Sequence, residues 1–139
     1  MKIYFAGSIR GGRDDAHLYE SLISYLGGIG QVLTEHVGAQ EITEIGERDC
    51  LDTIIYDRDM AWLQSSDVII AEVTTPSLGV GYELGVAEKL NKPILCLYRS
   101  VNGKQLSAMI KGNKDITCRN YNGLAEAKLY IHNFLQDLI

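Results

Sequence analysis

Short apolar runs alternate with helical patterns along the chain, and this alternation constrains the fold more than any other feature. Runs typical of buried strands cover residues 3–6, 31–33, 68–73, 94–98 and 116–119. Helical patterns cover residues 14–26, 51–64, the stretch up to about 90, 106–110 and 124–138. Strands that alternate with helices pair in parallel through right-handed crossovers, with helices on both faces of the sheet. The sequence therefore predicts an α/β fold with a five-stranded parallel sheet of flavodoxin-like (Rossmann-like) order 2-1-3-4-5.

Composition sets the class of protein and of partner. A chain of 139 residues fits one domain with one buried core, here expected over residues 1–139. No apolar run approaches the roughly 18 residues of a membrane span, and no signal peptide opens the chain, so a cytoplasmic location is expected. With a net charge of −5 and no lysine- or arginine-rich run, a nucleic acid polymer is a poor partner. A single phosphate group needs only a few amides and one or two cations.

Cysteine and histidine usage gives no sign of a metal or of a disulfide framework. The three cysteines (Cys50, Cys96 and Cys118) are odd in number and lack C-x-x-C spacing. Cys96 lies in an apolar run and is most simply a small core residue. The histidines form no ligand pattern; His36, after the second strand, could line a cleft, but a loop surface position is the simpler interpretation.

Two glycine-rich turns follow the first and third predicted strands, at residues 7–13 and 75–85. In the order 2-1-3-4-5 these strand ends flank the switch point at which α/β proteins bind ligands. Gly79 leaves room for a ligand near backbone N–H groups, and Ser77 can cap the next helix, whose start is an anion site. Neither turn matches a Walker A loop or G-x-G-x-x-G. Ordinary turn glycines are the alternative, but the pairing of the two turns favours a phosphate site.

The first of these turns also carries polar side chains. Arg10 and Arg13 are its cations, and one of them is expected to be a solvated surface residue. Ser8 could donate to an anion or simply cap the following helix.

Two carboxylates are candidates for chemistry. Glu83 lies within about two helical turns of the anion site, where a purely phosphate-binding turn has little use for a negative charge. Asp59 is on the preceding helix, where an aspartate ordinarily faces solvent, and it points about 200° away from Asp57. A pair of carboxylates beside a sugar is the usual equipment of glycosidic bond cleavage, with one as nucleophile and one as acid. Tyr4 lies inside a predicted strand, where a core aromatic is the simplest interpretation.

Four separated blocks resemble a known family. Residues 4–13, 33–37, 76–85 and 106–112 closely resemble the 2′-deoxynucleoside 5′-phosphate N-hydrolases of the nucleoside 2-deoxyribosyltransferase superfamily. The resemblance implies a homodimer with one such domain per chain and no metal or organic cofactor. It implies hydrolysis of a 2′-deoxynucleoside 5′-monophosphate to a free base and 2-deoxyribose 5-phosphate.

The resemblance also assigns roles to single residues. Glu83 matches the nucleophile that attacks the anomeric carbon, Asp59 matches the acid that assists base departure, and Tyr4 matches the tyrosine that disfavours a 2′-hydroxyl. Substrate binding, mainly of the phosphate, is implied for Gly7, Ser8, Ile9, Arg10, Gly11, Gly12, Arg13, Ser77, Gly79, Ser107, Ala108 and Met109. The last three would reach the neighbouring subunit's site. A retaining mechanism predicts carboxyl groups roughly 5–5.5 Å apart with substrate bound.

The chain departs from the family at two places: Ala6 replaces a cysteine common in vertebrate members, and residues 38–56 diverge most. The base pocket is therefore the least defined part.

Three alternatives stay open. A deoxyribosyltransferase would pass the sugar to a second base, and a relative of the CMP N-glycosidases would accept ribonucleotides. A nucleotide-sensing module would bind the nucleotide and leave it intact.

Overall fold

The computed structural model of the chain describes residues 1–8, 13–34, 51–100, 103 and 105–139. The strands are β1 Lys2–Gly7, β2 Gln31–Thr34, β3 Val68–Glu72, β4 Ile94–Tyr98 and β5 Ile116–Asn120. The helices are α1 Arg13–Gly27, α2 Leu51–Ser65, α3 Leu78–Lys89, α4 Ala108–Lys111 and α5 Leu124–Asp137. Every predicted element is confirmed, with ends that differ by one or two residues. None of the helices in these ranges combines the length and the apolar character that crossing a membrane requires.

The sheet has the predicted order β2-β1-β3-β4-β5, and each neighbouring pair is parallel. Gly7 at the end of β1 lies opposite Glu72 at the end of β3. The winding of the chain reverses between these two strands, so the turns that follow them start side by side.

Each face of the sheet carries its own core, because successive strand residues point to opposite sides. The α1/α5 core consists of Ile3, Phe5, Tyr19, Leu22, Leu26, Val68, Ile70, Leu95, Leu97, Tyr121, Ala127, Ile131 and Leu135. The α2/α3 core consists of Tyr4, Ala6, Leu63, Ile69, Ala71, Val80, Leu84, Ala87, Ile94, Cys96 and Ile116. Cys96 is fully buried here, which confirms its expected role as a core residue.

Lys92 connects the distal ends of α2 and α3. Its Nζ donates to the carbonyl oxygens of Gln64 and Ser66, over 2.8 and 2.7 Å. The chain turns just before it at Asn91, which has a positive φ of 56°, a conformation that asparagine tolerates better than most residues. Two helices are thereby held in a fixed relation at the end remote from the glycine-rich turns.

Candidate active site

Asp59 and Glu83 are both buried, on two helices that pack against each other. Asp59 is 3% exposed on α2 and Glu83 is 5% exposed on α3. The hydroxyl oxygens of Tyr56, one turn before Asp59, and of Tyr82, next to Glu83, lie 3.3 Å apart and link the two helices. The expectation that a helical aspartate faces solvent is wrong for Asp59, while Asp57 on the opposite side of α2 is exposed. A carboxylate is buried only where the fold compensates it or uses it.

Arg58 compensates the charge of Asp59. Its Nε and Nη2 lie 2.9 and 2.8 Å from Oδ1 of Asp59. The guanidinium also lies over the ring of Trp62, with 4.6 Å between Cζ and the ring centroid, so the donor is itself held in place. Both contacts use Oδ1, and among the described residues no hydrogen bond engages Oδ2. Oδ2 takes no part in the contacts with Arg58.

Tyr4 lies on the same face of the sheet as the two carboxylates. It is in the middle of β1, fully buried, and belongs to the α2/α3 core. That core also contains Leu84, next to Glu83, and the partly buried Met60, next to Asp59. The structure thus brings the three residues predicted to be catalytic to one layer between the sheet and helices α2 and α3.

The start of α3 has the predicted form of an anion site. Ser77 is the N-cap, with an extended backbone, and its Oγ accepts a hydrogen bond from the N–H of Val80 over 3.3 Å. Gly79 is exposed, and a Cβ atom there would meet nothing closer than the Ser77 Oγ at 3.8 Å. The unpaired N–H groups of the first turn of a helix favour a negatively charged ligand.

Only part of the first glycine-rich turn is described. Gly7 ends β1, and Ser8 is 7% exposed. Ile9, Arg10, Gly11 and Gly12, the side chain of Arg13, and the segment 35–50 with His36 and Cys50 lie outside the described residues.

A cavity of about 430 Å³ lies between the first turn of α3 and the start of α4. Ser77, Arg99, Ser107 and Met109 are among the residues that line it. Ser107 is the N-cap of α4, and its Oγ accepts from the N–H of Met109 over 3.3 Å. Within one chain, the structure therefore brings Ser77 together with part of the segment 107–109, which was expected to reach the neighbouring subunit's site.

The three predicted catalytic residues do not line this cavity. Leu84 does, but Glu83 is one position earlier, about 100° around the helix. Ser107 and Ala108 are exposed, as is Met109 at 81%. The carboxylates and the cavity thus lie on adjacent sides of α3.

A buried ionic network that the sequence analysis missed borders the cavity. Glu72, fully buried at the end of β3, accepts hydrogen bonds from the N–H of Thr74 over 2.7 Å and from the hydroxyl of Tyr121. The Nε of Arg99 lies 3.7 Å from its Oε2. A charged residue that ends an otherwise apolar strand was the available signal for this network.

The network continues to α1. Nη2 of Arg99 lies 2.5 Å from Oδ1 of Asp15, whose Oδ2 accepts from the hydroxyl of Thr75 over 3.2 Å. Burial and the charges of Glu72 and Asp15 raise the pKa of Tyr19 to about 12. Burial and the charge of Glu72 also raise the pKa of Tyr121. Both phenols are therefore neutral hydrogen-bonding groups near neutral pH.

Across the described ranges, no group of three or more His, Cys, Asp or Glu residues is arranged to hold a metal ion.

Comparison with known proteins gives a consistent set of similarities. The family model of the nucleoside 2-deoxyribosyltransferases matches residues 3–109. A 5-hydroxymethyl-dUMP N-hydrolase of Tetraodon nigroviridis is 57% identical over 113 residues, which cover 81% of this chain and 80% of the relative. A Nematostella vectensis protein, provisionally named 2′-deoxynucleoside 5′-phosphate N-hydrolase 1, is 62% identical over 114 residues, with 80% and 76% covered. The solved structure of a Clostridium botulinum CMP N-glycosidase shares the fold, with a TM-score of 0.68 at 20% identity over 95% of this chain and 99% of that one.

Proposed function

The chain belongs to the nucleoside 2-deoxyribosyltransferase family, and we propose that it hydrolyses the N-glycosidic bond of 2′-deoxynucleoside 5′-monophosphates. The products are a free base and 2-deoxyribose 5-phosphate. The burial of Asp59 and Glu83 on adjacent helices, beside a capped helix start, is the observation that supports this reaction most directly. The names of the similar relatives agree with it.

In the proposed mechanism Glu83 is the nucleophile. One of its carboxylate oxygens bonds to C1′ of the deoxyribose while the C1′–N bond breaks, and the electron pair of that bond leaves with the base. Asp59 enters this step protonated and gives its proton to the departing base through the oxygen not engaged by Arg58, and Arg58 then compensates the charge that Asp59 acquires. Burial strengthens these charge interactions because water screens them less. The result is a covalent glycosyl-enzyme.

Water completes the reaction. Asp59, now ionised, takes a proton from a water molecule. The oxygen of that water attacks C1′, and the bond between C1′ and Glu83 breaks. Two displacements at C1′ retain its configuration. The proposal requires carboxyl groups of Glu83 and Asp59 roughly 5–5.5 Å apart with substrate bound.

The 5′-phosphate binds at the start of α3 in this proposal. Ser77 and the amide of Gly79 provide donors there, and Gly7, where the first glycine-rich turn starts, lies beside Glu72 at the end of β3. When the phosphate is bound at one end of the sugar, the distance from the phosphate site to C1′ at the other end is fixed. Unphosphorylated nucleosides should therefore be poor substrates.

Chromatography of reaction mixtures tests the proposal. The purified chain is incubated with 5-hydroxymethyl-dUMP, dGMP, dAMP and dCMP, and released base is quantified. We include 5-hydroxymethyl-dUMP because a similar relative is named for it. If no nucleotide releases base while circular dichroism shows an intact fold, the proposal is wrong.

The same assay separates the alternatives. Adding a second free base and finding a new nucleotide would favour base exchange, the reaction for which the family is named. Comparing CMP with dCMP reports acceptance of a ribonucleotide. Tight binding without base release would favour a sensing module.

We extend the proposal to a homodimer in which the segment Ser107, Ala108 and Met109 reaches the neighbouring subunit's site. Met109 is 81% exposed and Leu78 is 96% exposed, and large apolar side chains in contact with water often mark an interface. Mixing a Glu83→Gln chain with a Ser107→Ala chain should restore part of the activity that each lacks alone. Light scattering would give the oligomeric state independently. A cytoplasmic location stays a prediction, to be checked by microscopy of a tagged chain.

A further inference from the structure

Two free thiols face each other across the last two strands of the sheet. Cys96 on β4 and Cys118 on β5 are partners in the parallel register, so their side chains point to the same face. Cys96 belongs to the α2/α3 core, and Cys118 packs against it. The Cys118 thiol donates a hydrogen bond to the carbonyl oxygen of Ile110, over 3.7 Å. Neither residue has a role in the proposed hydrolysis.

The spacing of the strands allows a bond between the two sulfur atoms. Neighbouring strands lie about 4.8 Å apart, and a disulfide joins Cα atoms that are roughly 4.4–6.8 Å apart. The Cβ atoms of a disulfide are closer, at about 3.8 Å, so closure would draw β4 and β5 together locally. A disulfide under such strain is easily reduced again.

The two thiols differ in reactivity. Cys96 is fully buried, and the neighbouring Cys118 thiol, together with burial, raises its pKa. Cys118 is half-buried, and the neighbouring Cys96 thiol and the charges of Arg119 and Lys111 lower its pKa to about 7. A thiolate with partial access to solvent is the form that reacts with an oxidant.

We propose that Cys96 and Cys118 are a peroxide-responsive thiol pair that closes reversibly to a disulfide between β4 and β5. The Cys118 thiolate attacks one oxygen of hydrogen peroxide, the O–O bond breaks, and the hydroxide that leaves takes a proton to become water. Cys118 then carries a sulfenic acid. The Cys96 sulfur attacks the Cys118 sulfur, the S–O bond breaks, and hydroxide leaves with the Cys96 proton as a second water. Two thiols are oxidised by two electrons, and one peroxide is reduced to two waters.

Mass spectrometry of the full chain tests this pairing independently of any enzymatic activity. A Cys50→Ser chain is treated with hydrogen peroxide, free thiols are blocked with N-ethylmaleimide, and the protein is digested with trypsin. Cleavage after Lys89 and Arg99 places Cys96 on the peptide 90–99. Cleavage after Lys114 and Arg119 places Cys118 on the peptide 115–119. We expect these two peptides joined, lighter than their sum by two hydrogen atoms, and separated by dithiothreitol.

Matched variants identify each role. In Cys96→Ala, the Cys118 sulfenic acid should persist and be trapped by dimedone. In Cys118→Ser, Cys96 should stay a free thiol, because it has no exposed partner to react first. The proposal is overturned if both thiols of the Cys50→Ser chain stay free, or if Cys118 goes on to sulfinic acid without any cross-linked peptide. Circular dichroism before oxidation verifies that each variant is folded.

Discussion

Arg99 and Asp15 form an ion pair, 2.5 Å between Nη2 and Oδ1, that joins the end of β4 to the first turn of α1. Asp15 also accepts a hydrogen bond from Thr75, just ahead of the capped start of α3. Asp15 therefore links the first turn of α1 both to the residue after β4 and to the segment that leads into α3.

Asp15→Asn should loosen that link. We expect a loss of about 1–2 kcal/mol in the free energy of unfolding, because the pair is only partly buried, and a rise in KM for the deoxynucleotide larger than the fall in kcat. Chemical denaturation and steady-state kinetics measure the two effects. Asp137→Asn, at the exposed end of α5, removes one carboxylate without this link and should change neither quantity. A fall in kcat alone would contradict a positioning role.

Glu83→Gln should abolish base release, by a factor of about 10³ or more, because an amide cannot form the covalent intermediate. Stability should be unchanged or higher, since a buried negative charge is removed. Base release is followed by chromatography and stability by thermal unfolding. Glu20→Gln, on the exposed side of α1, is the control and should keep full activity. Retention of most activity in the Glu83 variant would rule out the proposed nucleophile.

Asp59→Asn should lower kcat by about 10²–10⁴, the usual contribution of a general acid. The loss should be greatest for the base that departs least readily, because that base depends most on protonation. A panel of nucleotides with different bases gives this comparison. Asp57→Asn, two positions away on the exposed side of the same helix, should behave like the unmodified chain. Equal losses in both variants would point to a helix effect and not to proton transfer.

Tyr4→Phe should reduce the preference for deoxynucleotides over ribonucleotides by about 10-fold, the effect of one hydrogen bond of roughly 1–1.5 kcal/mol. The ratio of kcat/KM for dCMP and CMP measures it. Tyr25→Phe is the control, since its hydroxyl donates to the Lys128 carbonyl on the opposite face of the sheet. An unchanged ratio in the Tyr4→Phe variant would show that Tyr4 does not select the sugar.

Tyr19 should make the protein sensitive to alkaline pH. Its pKa is raised to about 12 in the folded chain from an ordinary value near 10, so its contribution to stability is complete below pH 10. That contribution is lost as the pH rises from about 10 to 12, because the unfolded chain releases the proton first. In Tyr19→Phe the free energy of unfolding should fall less steeply over this range. At pH 12 its loss should be about 2 kcal/mol smaller than in the unmodified chain. Parallel pH curves for the two chains would contradict this assignment.

Local rules predicted the parts of the molecule that depend on neighbours in sequence. The alternation of strands and helices was enough for the sheet order, and the serine before the glycine turn was enough for the cap at Ser77. The burial of Asp59 was not predictable from spacing, because it depends on which side of α2 meets α3. The pair of Arg99 and Asp15 spans 84 positions, and no local pattern indicates a contact at that distance.

The division of the interior by the sheet has a practical consequence. The residues proposed for catalysis belong to the side covered by α2 and α3, whereas Leu22 and Ile131 pack on the other side, under α1 and α5. Truncating those aliphatic side chains should lower the fraction of molecules that stays folded on heating. The kcat of the molecules that stay folded should be unchanged. The thermal stability of the protein and its turnover rate can therefore be altered separately, by substitutions on opposite faces of one sheet.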